Sequence, residues 1–260
     1  MRYLQRNEAV LSGRLFELSL TENRLSLKDF FSLAAAAGFT GVELRDSQIR
    51  PGDDPEEILE LCNQYGLGVS LLTARGGRLQ DESGFSRFLD YLALARQLGC
   101  PRLKVSGNNF ELLRRAAAYA EDAGVRIGIN NHIGTDWETP AGTFRMLDSI
   151  KHRNFFCHFD PSHWYLARAQ WDQEIIRQLL PKIDYFIVQD YSETEKFPLL
   201  GQRRVRMCSA TETGQVGYPM IAGILDKLQY AGPAALVALR DAEACPESVR
   251  KFFERSLGCY

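Results

Sequence analysis

The sequence predicts an α/β chain closed into a (β/α)8 TIM barrel, and three observations carry that expectation. A short β-branched or apolar run, a polar turn and an amphipathic stretch closed by glycine recur eight times along the chain. Eight such units in 260 residues match the size and element order of this barrel, read as a single domain over residues 1–260. The competing doubly wound sheet needs a glycine-rich phosphate turn after its first strand, and SLTENRLS at 19–26 offers none.

The strands are expected at RLFELSL (14–20), TGVELR (40–45), GVSLLTA (68–74), RLKVSG (102–107), RIGINNH (126–132), FFCHFD (155–160), YFIVQD (185–190) and ALVALRD (235–241). The helices between them carry punctuation at their ends. One begins after Asn23 and ends at Gly38, one ends at Gly66, one runs from Asn109 to Gly124, and DQEIIRQLLPK stops at Pro181. SGFSRFLDYLALARQLG, TPAGTFRMLDSI, YPMIAGILDKLQYAG and CPESVRKFFERSLG complete the set. The longest irregular piece, 191–217, follows the seventh strand, where long loops are usually lids or binding loops.

Bulk properties narrow the function. With 31 Lys+Arg against 33 Asp+Glu the net charge is -2, so no global basic field exists to hold nucleic acid or an anionic membrane. The expected partner is a small sugar or sugar acid, and a homodimer is left open. Six cysteines without a C-x-x-C pair argue against a zinc knuckle or a disulfide framework, and they read as reduced thiols. No apolar stretch approaches the ~18 residues of a membrane span and the N-terminus has no leader pattern, so the cytoplasm is the expected compartment.

Alternate residues of a barrel strand point inward, and those at its C-terminal end line the mouth. By parity these are Glu17 and Ser19, Glu43 and Arg45, Thr73 and Arg75, Lys104 and Ser106, Asn130 and His132, His158 and Asp160, Gln189, and Arg240. One polar strand end means little, because a lone Arg there is more often a surface ion pair. Eight strands sharing the pattern differ from a structural barrel, which would fill those layers with branched apolar side chains. Trp137, Trp164 and Trp171 fall in the loops after strands five and six, as a sugar-stacking wall or as packing over the barrel top.

RIGINNHIG (126–134) and FDPSHW (159–164), with GFTGVELR, LGCPRLKVSG and the late G-x-V-G-Y-P, resemble the sugar phosphate isomerase/epimerase family, whose barrel is xylose-isomerase-like. In that family strand five commonly ends E-N-H, strand six D-x-x-H and strand seven H-x-K-D, with a Glu on strand eight. The Glu, Asp, His and Glu bind one divalent metal that polarises a sugar carbonyl while carboxylates move a proton. Here the resemblance is partial. The first Glu falls on Asn130, the Asp is kept as Asp160, the His falls on Ile187, and the last Glu falls near Ala238. His132, His163 and Asp190 are kept, and Gln189 replaces the Lys.

One carboxylate and one amide make a poor cation site, so no tightly bound metal is expected. The alternative is a shifted Mn, Mg or Zn site built from Asp160, His158 and His132 with Glu43. The resemblance implies proton transfer next to the carbonyl of a small acidic or phosphorylated sugar. Asp160, Glu43 and His132 are the candidate catalytic groups. Asn130, His163, Lys104, Arg45, Arg75, Gln189, Arg204 and Arg240 are candidate substrate contacts, the cations gripping a carboxylate or phosphate. A non-catalytic sugar-binding barrel is the alternative. A hydrolase of the endonuclease IV type, which needs a His-rich multi-metal site, is disfavoured by four histidines in the whole chain.

Overall fold

The computed structural model describes residues 6–22, 24–238 and 245–258. The elements run β1 (Ala9–Ser12), α1 (Glu17–Thr21), α2 (Leu27–Ala36), β2 (Gly41–Arg45), α3 (Glu56–Tyr65), β3 (Gly68–Thr73), α4 (Glu82–Gln97), β4 (Arg102–Lys104), α5 (Phe110–Asp122) and β5 (Arg126–Asn130). They continue with α6 (Pro140–Ile150), β6 (Phe155–Phe159), α7 (Pro161–Leu166), α8 (Gln173–Leu179), β7 (Ile183–Gln189), β8 (Tyr191–Glu193), β9 (Leu199–Leu200) and β10 (Arg203–Met207). α9 (Tyr218–Lys227), β11 (Ala234–Ala238) and α10 (Pro246–Ser256) complete the chain. The parallel strands close in the order β1-β11-β7-β6-β5-β4-β3-β2, as the eightfold repeat predicts.

Local chemistry sets the helix ends. α2 starts at Ser26, three residues later than its pattern suggests, because Ser26 and Asp29 form a capping box: Asp29 N donates to Ser26 Oγ at 3.0 Å and Ser26 N to Asp29 Oδ2 at 3.3 Å. The Ser26 hydroxyl, donating to Asp29 Oδ2 at 2.6 Å, together with the Ser26 N–H holds the Asp29 carboxyl below its usual range. α5 begins at Asn109, whose side chain accepts from Leu112 N, and α3 ends where Gly66 turns left-handed at φ 63. Phe30 and Phe31 of α2 are fully buried, each contributing roughly 1.5–3 kcal/mol of apolar burial.

The first strand departs from expectation. AVLS at 9–12 is the strand, with Val10 paired to Gly41 and Ser12 to Glu43, while 17–21 is helical. Phe16, Leu18 and Leu20 would share a face at a period of two. Instead Phe16 and Leu20 are buried and Leu18 is 69% exposed, the helical spacing of four. Glu17 and Ser19 therefore leave the expected strand end.

The loop after β7 is ordered as an antiparallel sheet, β8-β10-β9. Asp190 anchors it: its carboxylate accepts from the backbone N–H groups of Tyr191 at 2.9 Å, Gly214 at 3.1 Å and Val216 at 3.3 Å. A Cβ on Gly214 would stand 2.1 Å from that carboxylate, so only glycine fits. Among the described residues no helix is long and apolar enough to cross a membrane. Cys62, Cys100, Cys157, Cys208 and Cys245 are free thiols.

The chain groups into two compact units. One takes in Asn130–Met146 and the residues from Cys157 onward, with the chain up to Ala9. The other takes in Val10–Ile129 and Leu147–Phe156.

Candidate functional site

In the unit that holds Asn130–Met146 and the chain from Cys157, the polar ends of β5, β6 and β7 carry a connected cluster. Asp160 follows β6, is fully buried and caps α7, with Pro161 opening that helix. Its Oδ1 accepts from Ser162 N at 3.0 Å, Ser162 Oγ at 2.6 Å and Tyr218 OH at 3.3 Å. Its Oδ2 accepts from the Gln189 amide and lies 3.3 Å from His163 Nε2. Gln189 also donates to Ser162 Oγ at 3.1 Å. Burial and the neighbouring Asp160 carboxylate push the Tyr218 hydroxyl well above its ordinary pKa, so it stays a donor.

His163 stacks on His132, ring centroids 4.1 Å apart and tilted by 39°. His163 is buried, whereas His132 is exposed. The His132 Nδ1 lies 2.6 Å from the Ile133 carbonyl oxygen. A carbonyl can only accept, so Nδ1 carries the hydrogen and Nε2 of the neutral ring is a proton acceptor. Asn130, ending β5, is 6% exposed and its Oδ1 accepts no hydrogen bond. That is an acceptor held out of water without a protein donor, a feature that calls for an explanation in a folded chain.

Asp160, His132 and Gln189, expected from strand parity, and His163, expected from the resemblance, thus meet in one connected cluster, with Asn130 at the end of β5 in the same unit. Ser162 and Tyr218 join Asp160 without having been nominated. Their signals were present, Ser162 inside D-P-S-H and Tyr218 inside G-Y-P, but no spacing tells that a tyrosine at the start of α9 reaches a carboxylate after β6. His158 differs from expectation: it is fully buried, with Nε2 3.3 Å from Asp184 Oδ1. A register shift causes this, since Cys157 pairs with Ile183 and His158 with Tyr185, passing over Asp184. Burial and Asp184 hold the neighbouring Cys157 thiol protonated. Trp164 is fully buried against Phe159 at 4.9 Å, so it packs and offers no stacking face.

Also in this unit, Arg204 on β10 is exposed and donates to the Phe197 carbonyl at 3.1 Å. Arg203 pairs with Glu193 and lies 4.1 Å over the Tyr165 ring, while Arg206 pairs with Glu212. Arg240 lies outside the described residues.

The other compact unit holds a separate charged cluster. Glu43 is 1% exposed and accepts from Thr73 Oγ1 at 3.1 Å, with Arg45 Nη1 at 3.5 Å. Arg45 is itself buried, and its Nε faces Glu17 Oε1 at 3.5 Å. Arg75 and Arg14 reach Glu17 Oε2 at 3.4 and 3.5 Å. Lys104 ends β4 and is half-buried.

A divalent ion does not fit the donor set. Both oxygens of Asp160 are taken by N–H and O–H donors that a cation would have to displace. The seventh-strand position is a buried Ile187 and the fifth-strand position an amide. His158 is turned to Asp184, which removes the shifted site. No group of three His, Cys, Asp or Glu suited to a metal occurs among the described residues.

Residues 31–255 match the family model described as xylose isomerase-like TIM barrel. The inosose dehydratase of Histophilus somni (strain 129Pt) is 21% identical over 245 residues, 80% of each protein. Similar solved structures include the probable 3-DHS dehydratase AsbF of Bacillus anthracis, with a TM-score of 0.74 at 16% identity over 97% of each chain. The IOLI protein with a bound zinc atom gives 0.75 at 14% identity over 96% of each chain. A xylose isomerase-like protein of Mycobacterium smegmatis in complex with magnesium gives 0.69 at 13% identity, covering 99% of this chain and 100% of that one. With the barrel closed and 225 consecutive positions matched by the family model, the chain belongs to the xylose isomerase-like TIM barrel family.

Proposed function

We propose that the protein moves a proton at the carbon next to a carbonyl in a small polyhydroxylated sugar or sugar-derived ring, as an isomerase or epimerase that needs no metal. The observation that carries this reading is His132. Its Nδ1–H is tied to the Ile133 carbonyl, which leaves Nε2 of an exposed ring as the base, and His163 with Asp160 behind it stands against that ring.

In this reading His132 Nε2 takes the carbon-bound proton, and the electron pair moves to the carbonyl oxygen to give an enediol. His163, oriented by Asp160, supplies a proton to that oxygen. Asn130 Oδ1 accepts from a substrate hydroxyl. Asp160 holds the imidazole of His163 and caps α7, so it acts through His163 and is a positioning residue. Rotation of the enediol so that His132 returns the proton to the opposite face of the carbon epimerises the substrate. Its return to the adjacent carbon isomerises it.

A second reading follows from the likeness to inosose dehydratase. The same enediol can expel a hydroxyl from the next carbon as water: the enol O–H returns its proton to His163 as the carbonyl re-forms, and the protonated His132 Nε2 gives its proton to the leaving hydroxyl.

Incubation with keto-sugars and cyclic polyol ketones in D2O, followed by NMR, separates these outcomes. Deuterium at the carbon next to the carbonyl, without loss of water, supports epimerisation or isomerisation. An unsaturated product supports the dehydratase reading. Binding across the panel with no exchange would leave a non-catalytic sugar-binding barrel.

A further inference from the structure

We propose that Arg14, Arg45 and Arg75 form a binding site for the carboxylate of a small organic acid, with Glu17 as its built-in occupant. All of these residues lie within the unit Val10–Ile129, and the site stands independently of the acid–base reading above.

The contacts are loose in a way that a settled ion-pair network is not. Arg45 Nε, Arg75 Nη2 and Arg14 Nη1 stand 3.5, 3.4 and 3.5 Å from the Glu17 carboxylate, and Arg45 Nη1 stands 3.5 Å from Glu43. Charge-assisted N–H to carboxylate bonds usually close to roughly 2.7–2.9 Å, with arginine gripping both oxygens. This chain makes such forks elsewhere: both Nη atoms of Arg206 reach Glu212 at 2.5 Å.

Arg45 adds an independent sign. Its side chain is 6% exposed, yet its Nε makes no hydrogen bond. A buried guanidinium donor without an acceptor is costly, and a ligand oxygen would satisfy it. Three guanidinium groups face the carboxylates of Glu17 and Glu43. The Asp46 carboxylate, next in sequence to Arg45, accepts from Gly76 N at 2.9 Å through Oδ2.

The site is reachable. Arg14 and Arg75 are each 53% exposed along the side chain. Glu17 sits in the first turn of α1, where its Oε1 also accepts from Ser47 Oγ at 3.3 Å, so an incoming carboxylate that displaces it takes over a ready set of donors. The carboxylate that the cluster already holds indicates the ligand class. An incoming acid exchanges for Glu17 and brings both oxygens within reach of Arg45 and Arg75.

Titration calorimetry with glucuronate and with glucose, the same ring with and without a carboxylate, tests this on the full chain. Glu17→Gln removes the competing carboxylate and should tighten glucuronate binding about tenfold while leaving glucose unchanged. Arg75→Gln, at an exposed position that tolerates change, should weaken glucuronate binding severalfold in the otherwise native protein. The proposal is overturned if glucuronate affinity is unmoved by either substitution, or if glucose responds equally. Should Glu17→Gln fail to fold, the Arg75→Gln result alone decides.

Discussion

Asn131 brackets the backbone of Asp160. Its Oδ1 accepts from Asp160 N at 2.8 Å, and its Nδ2 donates to Asp160 O at 2.9 Å, with both residues fully buried. The residue after β5 thereby fixes the height of the residue after β6, the one that carries the Asp160–His163 pair.

Asn131→Ala leaves the buried Asp160 N–H without a partner, while the Asp160 carbonyl keeps the His163 N–H at 3.2 Å. It should lower stability by about 1–3 kcal/mol. Urea unfolding followed by circular dichroism measures this, and a loss within experimental error would remove the bracket from the account.

His132→Gln should depress deuterium exchange or product formation by about 100- to 10,000-fold with little change in substrate affinity. Asp160→Asn should behave differently. An amide in place of the carboxylate turns an NH2 group toward Ser162 and Tyr218 or toward Gln189 and His163, so stability should fall by about 2–4 kcal/mol along with turnover. Equal folding stability in the two variants would contradict the distinction between base and positioning residue.

Metal independence has a readout apart from activity. A divalent ion bound to the folded chain at 100 times its Kd would add about 2.7 kcal/mol and raise Tm by several degrees. Addition of Mn, Mg or Zn, and treatment with EDTA, should leave Tm unmoved. A reproducible rise with one of these ions would refute the donor-set argument.

At high pH, two tyrosines set a limit. Burial, with Glu193 adding to it, pushes Tyr165 up to about 12 from its ordinary 10, and burial with the Asp160 carboxylate raises Tyr218 well above its ordinary value too. Above the unfolded value the unfolded chain sheds these protons while the folded chain keeps them. Their contribution is therefore intact below pH 10 and is lost as pH rises toward about 12. Urea midpoints on either side of pH 10 should show the fall, and Tyr165→Phe should make it shallower.

Most strands were legible because fully buried parallel strands read as apolar runs between polar turns, and β2, β3, β5 and β11 lie within or next to the expected runs. RLFELSL misled because alternation of Phe16, Leu18 and Leu20 is also compatible with a helix that leaves Leu18 in water. AVLS, only four residues long, carried too little pattern to compete. His132, Asp160, His163 and Gln189 could be nominated by strand-end parity together with the short motifs they sit in. The His158 contact could not, since one skipped residue at Asp184 redirects it.

The sequence by itself determined the eightfold β and α alternation, the polar strand ends, and the amide and isoleucine at positions where the resemblance implies metal ligands. These are properties of residue type and local period. Only the tertiary structure decided partnership: Tyr218 with Asp160 across 58 residues, Glu17 with Arg75 across 58, and the Asn131 bracket on Asp160 across 29. Hydrogen bonds and ion pairs act over a few ångströms and are indifferent to sequence distance. Which donor meets which carboxylate is therefore fixed only when the strands are set side by side.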